Sequence, residues 1–136
     1  MADDIKGITL NVRGLRNNRK RKSMFKLLRE HKYDIICLQE TYITKDIAEQ
    51  WKRDWGGDIV FCEGTNHGRG QMILIKKNFP FEWSAILKQD RILSIKVVAD
   101  KVMHFYNVYA PCSNKDTKDF FDKLKGILNL FYCLIN

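Results

Sequence analysis

Long apolar runs are missing from this sequence, and their absence excludes a membrane-spanning helix. The longest, Leu130 to Ile135, is far too short to cross a bilayer, so no membrane partner is expected. The opening "MADDIKG" is acidic and has no apolar segment behind it, so no secretory signal is visible. The four cysteines, Cys37, Cys62, Cys112 and Cys133, form no C-x-x-C pair and have no zinc-ligand spacing with the three histidines. That pattern argues against a redox motif or a zinc site, and it suits a reduced, intracellular protein. "GTNHGRG" lacks the Gly-Lys-Ser/Thr ending of a phosphate-cradling loop and does not fit G-x-G-x-x-G, so it reads as a hairpin connection. His31, His67 and His104 have no serine or aspartate arrangement suggesting a hydrolytic triad, and His104 falls inside a strand as a structural residue. No repeat, low-complexity tract or linker divides the chain.

What is present describes one ordinary globular domain. The 136 residues are 45% hydrophobic and 29% charged, enough for one core and short for two. The net charge of +8 is unevenly placed: residues 1–32 hold ten Lys and Arg against three Asp and Glu, and the rest is nearly balanced. Its centre is "RNNRKRK", with Arg16, Arg19, Lys20, Arg21 and Lys22. Such a cluster suits the phosphate backbone of DNA, or a nuclear import signal, and equally a solvated loop leading into a helix.

Periodicity gives a layered α/β order. "IKGITLNV" (5–12) alternates as a strand, and "RKSMFKLLREH" (21–31) is an amphipathic helix with Met24, Leu27 and Leu28 on one side. "DIICLQET" (34–41) reads as a strand buried on both faces, which predicts a parallel strand–helix–strand unit. A helix from about Thr44 to Trp55 repeats Ile47, Trp51 and Trp55 as core residues. Strands follow at 58–64 and 71–77, then a hairpin dividing at Ala99-Asp100-Lys101. A last helix begins near Asp116 or Thr117, with Phe120, Leu124, Ile127 and Phe131 on its buried face.

Three polar residues end three of these strands. Asn11 closes the first, Glu40 the second and Tyr109 the last, so one sheet edge can gather an amide, a carboxylate and a phenol. Ligands of α/β folds sit at the carboxyl ends of strands. The alternative is that Glu40 merely marks the strand's exit and that Asn11 and Tyr109 are structural.

In this order, "ITLNVRGL", "DIICLQET", "GRGQMILIKK" and "FYNVYAP" resemble the successive signatures of the endonuclease/exonuclease/phosphatase superfamily. The resemblance is greatest to the apurinic-endonuclease-like domain of non-LTR (LINE-type) retrotransposons and runs from Ile5 to about Leu128. It implies a deoxyribonuclease I-like, four-layer α/β/β/α sandwich that hydrolyses phosphodiesters, nicking DNA, with Mg²⁺, or Mn²⁺ in its place. By match of motif, Glu40 resembles the metal-binding glutamate and Asn11 the asparagine of the same pocket. Tyr109 resembles the tyrosine that binds or polarises the scissile phosphate, and Asn107 ranks below it.

The family's later words, Gly-Asp-Phe-Asn and Ser-Asp-His, do not occur here. The expectation is therefore a single partial domain over residues 1–136, truncated after the first half and inactive by itself. Lacking a general acid or base typically costs about 10²–10⁴ in rate. A sheet face without its covering layer is also expected to favour self-association. The alternative from another class is a non-catalytic, basic nucleic-acid-binding or self-associating remnant.

Overall fold

The computed structural model describes residues 4–89, 91–111 and 113–135, with side chains described as far as residue 127. The chain opens with β1 (Gly7–Asn11), α1 (Asn18–Glu30) and β2 (Ile35–Gln39). A 3-10 turn (Lys45–Ile47) leads into α2 (Ala48–Trp55), and β3 (Asp58–Thr65) and β4 (Gly68–Ile75) form a hairpin. Then come β5 (Glu82–Gln89), β6 (Ile92–Val98), β7 (Val102–Val108) and α3 (Asn114–Ile135).

The strands make two sheets, ordered β1-β2-β4-β3 and β5-β6-β7. The expected parallel pair is present, with Gly7 opposite Ile35 and Asn11 opposite Gln39. The alternation of side chains along a strand explains how the larger sheet serves two cores. Ile36 and Leu38 of β2, with Met72 and Leu74 of β4, face Phe25, Leu28, Trp51 and Trp55 of the helices. Ile35, Ile73 and Ile75 face the other way and pack on Leu93, Ile95 and Val97 of β6. Helices thus cover one side of the first sheet, and the second sheet covers the other. Each of these apolar side chains contributes roughly 1.5–3 kcal/mol by leaving water.

Several boundaries differ from the periodicity, each for a local reason. α1 starts at Asn18 because the side chain of Asn17 accepts from the Lys20 N–H at 2.9 Å and caps the helix. Its buried face is Phe25 and Leu28 with Arg21, while Leu27 is 50% exposed. α3 starts at Asn114, with the Ser113 hydroxyl accepting from the Asp116 N–H at 3.2 Å. Phe120 is buried there as expected. Phe131, expected on the same face, lies outside the described side chains. The strand β5 has no counterpart in the periodicity: a bulge between Ala85 and Leu87 breaks its alternation, and most of its residues are exposed. Among the described residues, no helix is long and apolar enough to cross a membrane.

Candidate active site

The first three residues after β2 carry the geometry. Past Gln39 the chain stays hydrogen-bonded on both sides: Gly14 N–H donates to Glu40 O, while Thr41 and Tyr42 N–H donate to Gly70 O and Arg69 O, at 2.6, 3.0 and 2.9 Å. To keep those bonds the backbone turns left-handed at Glu40 (φ 53°) and again at Tyr42 (φ 63°). The loops beside it do the same at Arg13 (50°), Gly14 (87°), Arg69 (57°), Gly70 (88°) and Arg91 (70°). Left-handed non-glycine residues cost about 1–3 kcal/mol each and concentrate where function over-determines the backbone.

Two glycines make the close approach possible. A Cβ on Gly14 would lie 2.5 Å from the Tyr42 ring, and one on Gly70 would lie 2.7 Å from Thr41 Oγ1. These are the glycines of "NVRGL" and "GRG", so both words encode the path of the chain around Glu40.

Against this turn stands the end of the second sheet. Tyr109 donates its hydroxyl to Glu40 Oε1 at 2.7 Å, across 69 residues of sequence. The Arg91 guanidinium lies over the Tyr109 ring at 5.0 Å and donates to Tyr109 O at 3.3 Å, while Tyr109 N–H donates to Arg91 O. Asn11 ends the strand beside Glu40 and lies opposite Gln39. Its side-chain oxygen accepts from the Arg13 N–H at 3.2 Å, and among the described residues it makes no hydrogen bond with Glu40. The sequence-predicted trio is thus one direct pair with an amide on the adjoining strand end. Sequence reasoning missed Arg91, Gln71 and Gln39, although "GRGQ" and "LQET" do carry the two glutamines inside the words of the resemblance.

The electrostatics leave the carboxylate uncompensated. Among the described residues, no Lys or Arg lies within ion-pair reach of Glu40, and its second oxygen has no protein donor. No group of three or more His, Cys, Asp or Glu suited to a metal occurs among the described residues. Mg²⁺, however, is satisfied by one or two carboxylates with water and phosphate oxygens, so the second oxygen of Glu40 is the group at these strand ends that could hold such an ion. A larger cavity of about 530 Å³ lies elsewhere, among Arg29, Lys32, Tyr33, Trp55, Lys76 and Lys77. Its one acidic residue, Asp54, is already paired with Arg21, so it offers no carboxylate for a cation.

The basic cluster divides in the structure. Arg21 is corrected from a DNA contact to an interior residue: it is 2% exposed, pairs with Asp54 at 2.9 Å, donates to Leu15 O and stacks over Trp51. The helical register of α1 turns it inward. Arg16 donates to Tyr42 O and Thr44 Oγ1, and Lys20 to Val12 O and Arg13 O, so both brace the loops of the site. Arg19 and Lys22 are exposed, with no side-chain partner among the described residues.

Two packed sheets, helices on the outer face and a carboxylate–phenol pair at the strand ends define a deoxyribonuclease I-like fold. The chain belongs to the endonuclease/exonuclease/phosphatase family, whose model matches residues 8–111. It is 28% identical over 123 residues to the uncharacterized 149 kDa protein of transposon TX1 from Xenopus laevis, covering 88% of this chain and 9% of that protein. Among solved structures it is similar to a humanized TDP2 of D. rerio (TM-score 0.61, 20% identity, 90% of this chain and 57% of that one). It is also similar to the AP endonuclease LMAP of Leishmania major (TM-score 0.57, 19% identity, 77% and 39%). At these identities the structural matches speak to fold alone, and the chain spans only part of each relative's length.

Proposed function

We propose that this chain forms the metal-anchoring and phosphate-orienting part of a retrotransposon-type endonuclease domain that nicks DNA. The observation that carries the reading is the Tyr109 hydroxyl on Glu40 Oε1 at 2.7 Å, beside a carboxylate oxygen that no group among the described residues engages. Glu40, with Asn11, would hold Mg²⁺ or Mn²⁺. The ion, when bound, would offset charge developing on the phosphoryl and leaving-group oxygens. Tyr109 directs its hydroxyl into the same space and can donate to a phosphate oxygen once Glu40 turns to the ion. Arg91 adds a fixed positive charge behind the phenol.

Duplex DNA is the proposed partner, with Arg19 and Lys22 on its backbone. They sit in the first two turns of α1, where no acidic residue offsets the positive end of the helix dipole. The family's Gly-Asp-Phe-Asn and Ser-Asp-His words are absent, so water activation is assigned to groups this chain does not supply, and the domain is read as partial. Joined to the second half of a homologous domain, the chain should nick supercoiled plasmid with Mg²⁺, and Glu40→Gln should abolish the nicking. Nicking at the parent rate would remove Glu40 from the site, whereas no nicking by the joined parent chain would leave the non-catalytic DNA-binding reading standing.

A further inference from the structure

Between the two sheets the fully buried apolar side chains are Ile, Leu and Val, with partly buried Phe, Trp, Met and Cys around them; the site end differs. There three amides are buried: Asn107 at 1%, Gln71 at 3% and Gln39 at 9% exposure. Asn107 Nδ2 donates to Leu38 O at 3.0 Å and to Met72 O at 2.8 Å, so one side chain of β7 bonds both central strands of the other sheet. Its Oδ1 accepts from Gln39 Nε2 at 2.8 Å. Gln71 Nε2 donates to Asn107 O at 2.9 Å and to Arg91 O at 3.3 Å.

An apolar interface alone fixes such a placement poorly. Dispersion and area burial have little direction, and neighbouring slides of one aliphatic face over another bury similar area. Directional bonds to backbone carbonyls do not tolerate a slide, because a buried donor left unmatched carries its full desolvation cost. The amides stand beside the groups that matter: Gln39 immediately precedes Glu40, and Asn107 lies two residues before Tyr109.

We infer that Asn107, Gln71 and Gln39 form an intersheet amide clamp whose function is positional: it sets the Tyr109 hydroxyl on Glu40. None of the three touches the reacting groups, so they are positioning residues. The inference rests on the site proposed above, but its central test does not depend on turnover.

The chain carrying ¹³Cζ-labelled tyrosine gives one signal for each of its five tyrosines. Tyr109→Phe assigns the Tyr109 signal, and Glu40→Gln reads its contact, because removing the acceptor charge moves that resonance. In Gln71→Met or Asn107→Leu, which keep volume and remove the bonds, the response of Tyr109 to Glu40→Gln should disappear while cooperative unfolding is retained. Should Asn107→Leu fail to fold, the milder Gln71→Met and Gln39→Met decide. A full Tyr109 response in the folded variants overturns the clamp. The joined enzyme separates the two proposals: loss of the response with nicking that ignores Glu40→Gln sinks the catalytic reading and spares the clamp. Glu40-dependent nicking with an intact response does the reverse.

Discussion

At the scale of single residues, charge type alone misleads, and burial decides what a cation does. The cluster Arg16, Arg19, Lys20, Arg21 and Lys22 looks uniform in sequence, yet Arg21 is held in the interior by Asp54 and the Leu15 carbonyl. Arg21→Ala leaves Asp54 buried without its partner, and unfolding in urea should show a loss of about 3–5 kcal/mol. Neutralising Arg19 and Lys22 should leave stability nearly unchanged. It should lower the log–log salt slope of duplex binding by about 0.9 for each phosphate that these side chains neutralise. An unchanged slope would leave these two only facing solvent. Burial also acts on Cys37, whose thiol it pushes up to about 11. An unfolded cysteine titrates near 8.5. The folded value is the raised one, so the associated stability is intact below about pH 8.5 and is lost as pH rises toward 11. Cys37→Ala should therefore show a shallower loss of stability across that alkaline window than the parent.

At the scale of elements, the strands that end in polar groups were legible, and the reason is visible in β2. Its Ile35, Ile36 and Leu38 are buried on two faces, so an unbroken apolar run followed by Glu40 had one good meaning. Trp51 and Trp55 at helical spacing were likewise legible as core. β5 was not legible, because its exposed residues and bulge carry no period. Nor were the clamp's roles: a glutamine inside a strand signals neither the direction of its amide nor the carbonyl it meets across another sheet. The turn after β2 was written in glycine. Gly70→Ala sets a Cβ among Thr41, Tyr42 and Ile43 at a φ of +88° and should destabilise by about 1–3 kcal/mol. Gly126→Ala in α3, where nothing lies within 4 Å of the new atom, should instead stabilise by about 0.5–1 kcal/mol. Urea denaturation of the pair checks both signs, and equal effects would contradict a special role for Gly70.

At the scale of the molecule, Ile86 and Val102 stand 38% and 47% exposed on the two edge strands of the second sheet, β5 and β7. Exposed aliphatic side chains on edge strands invite pairing with another copy. Residues 1–136 should elute as more than a monomer in light-scattering-coupled gel filtration and should not nick supercoiled plasmid with Mg²⁺ or Mn²⁺. A well-dispersed monomer would defeat the first expectation, and nicking that disappears in Glu40→Ala would defeat the second. The contact between Tyr109 and Glu40 has a further meaning in time. The two residues are 69 apart in the chain. At a synthesis rate of about 5–20 residues per second, the carboxylate is made on the order of several seconds before its phenol exists. Until β5 and β6 have been made, the β1–β2 unit and the β3–β4 hairpin have only each other to pair with. The nascent chain thus passes through a stage in which its acidic strand end is complete in sequence but has no counterpart, and the site closes only as the second sheet arrives.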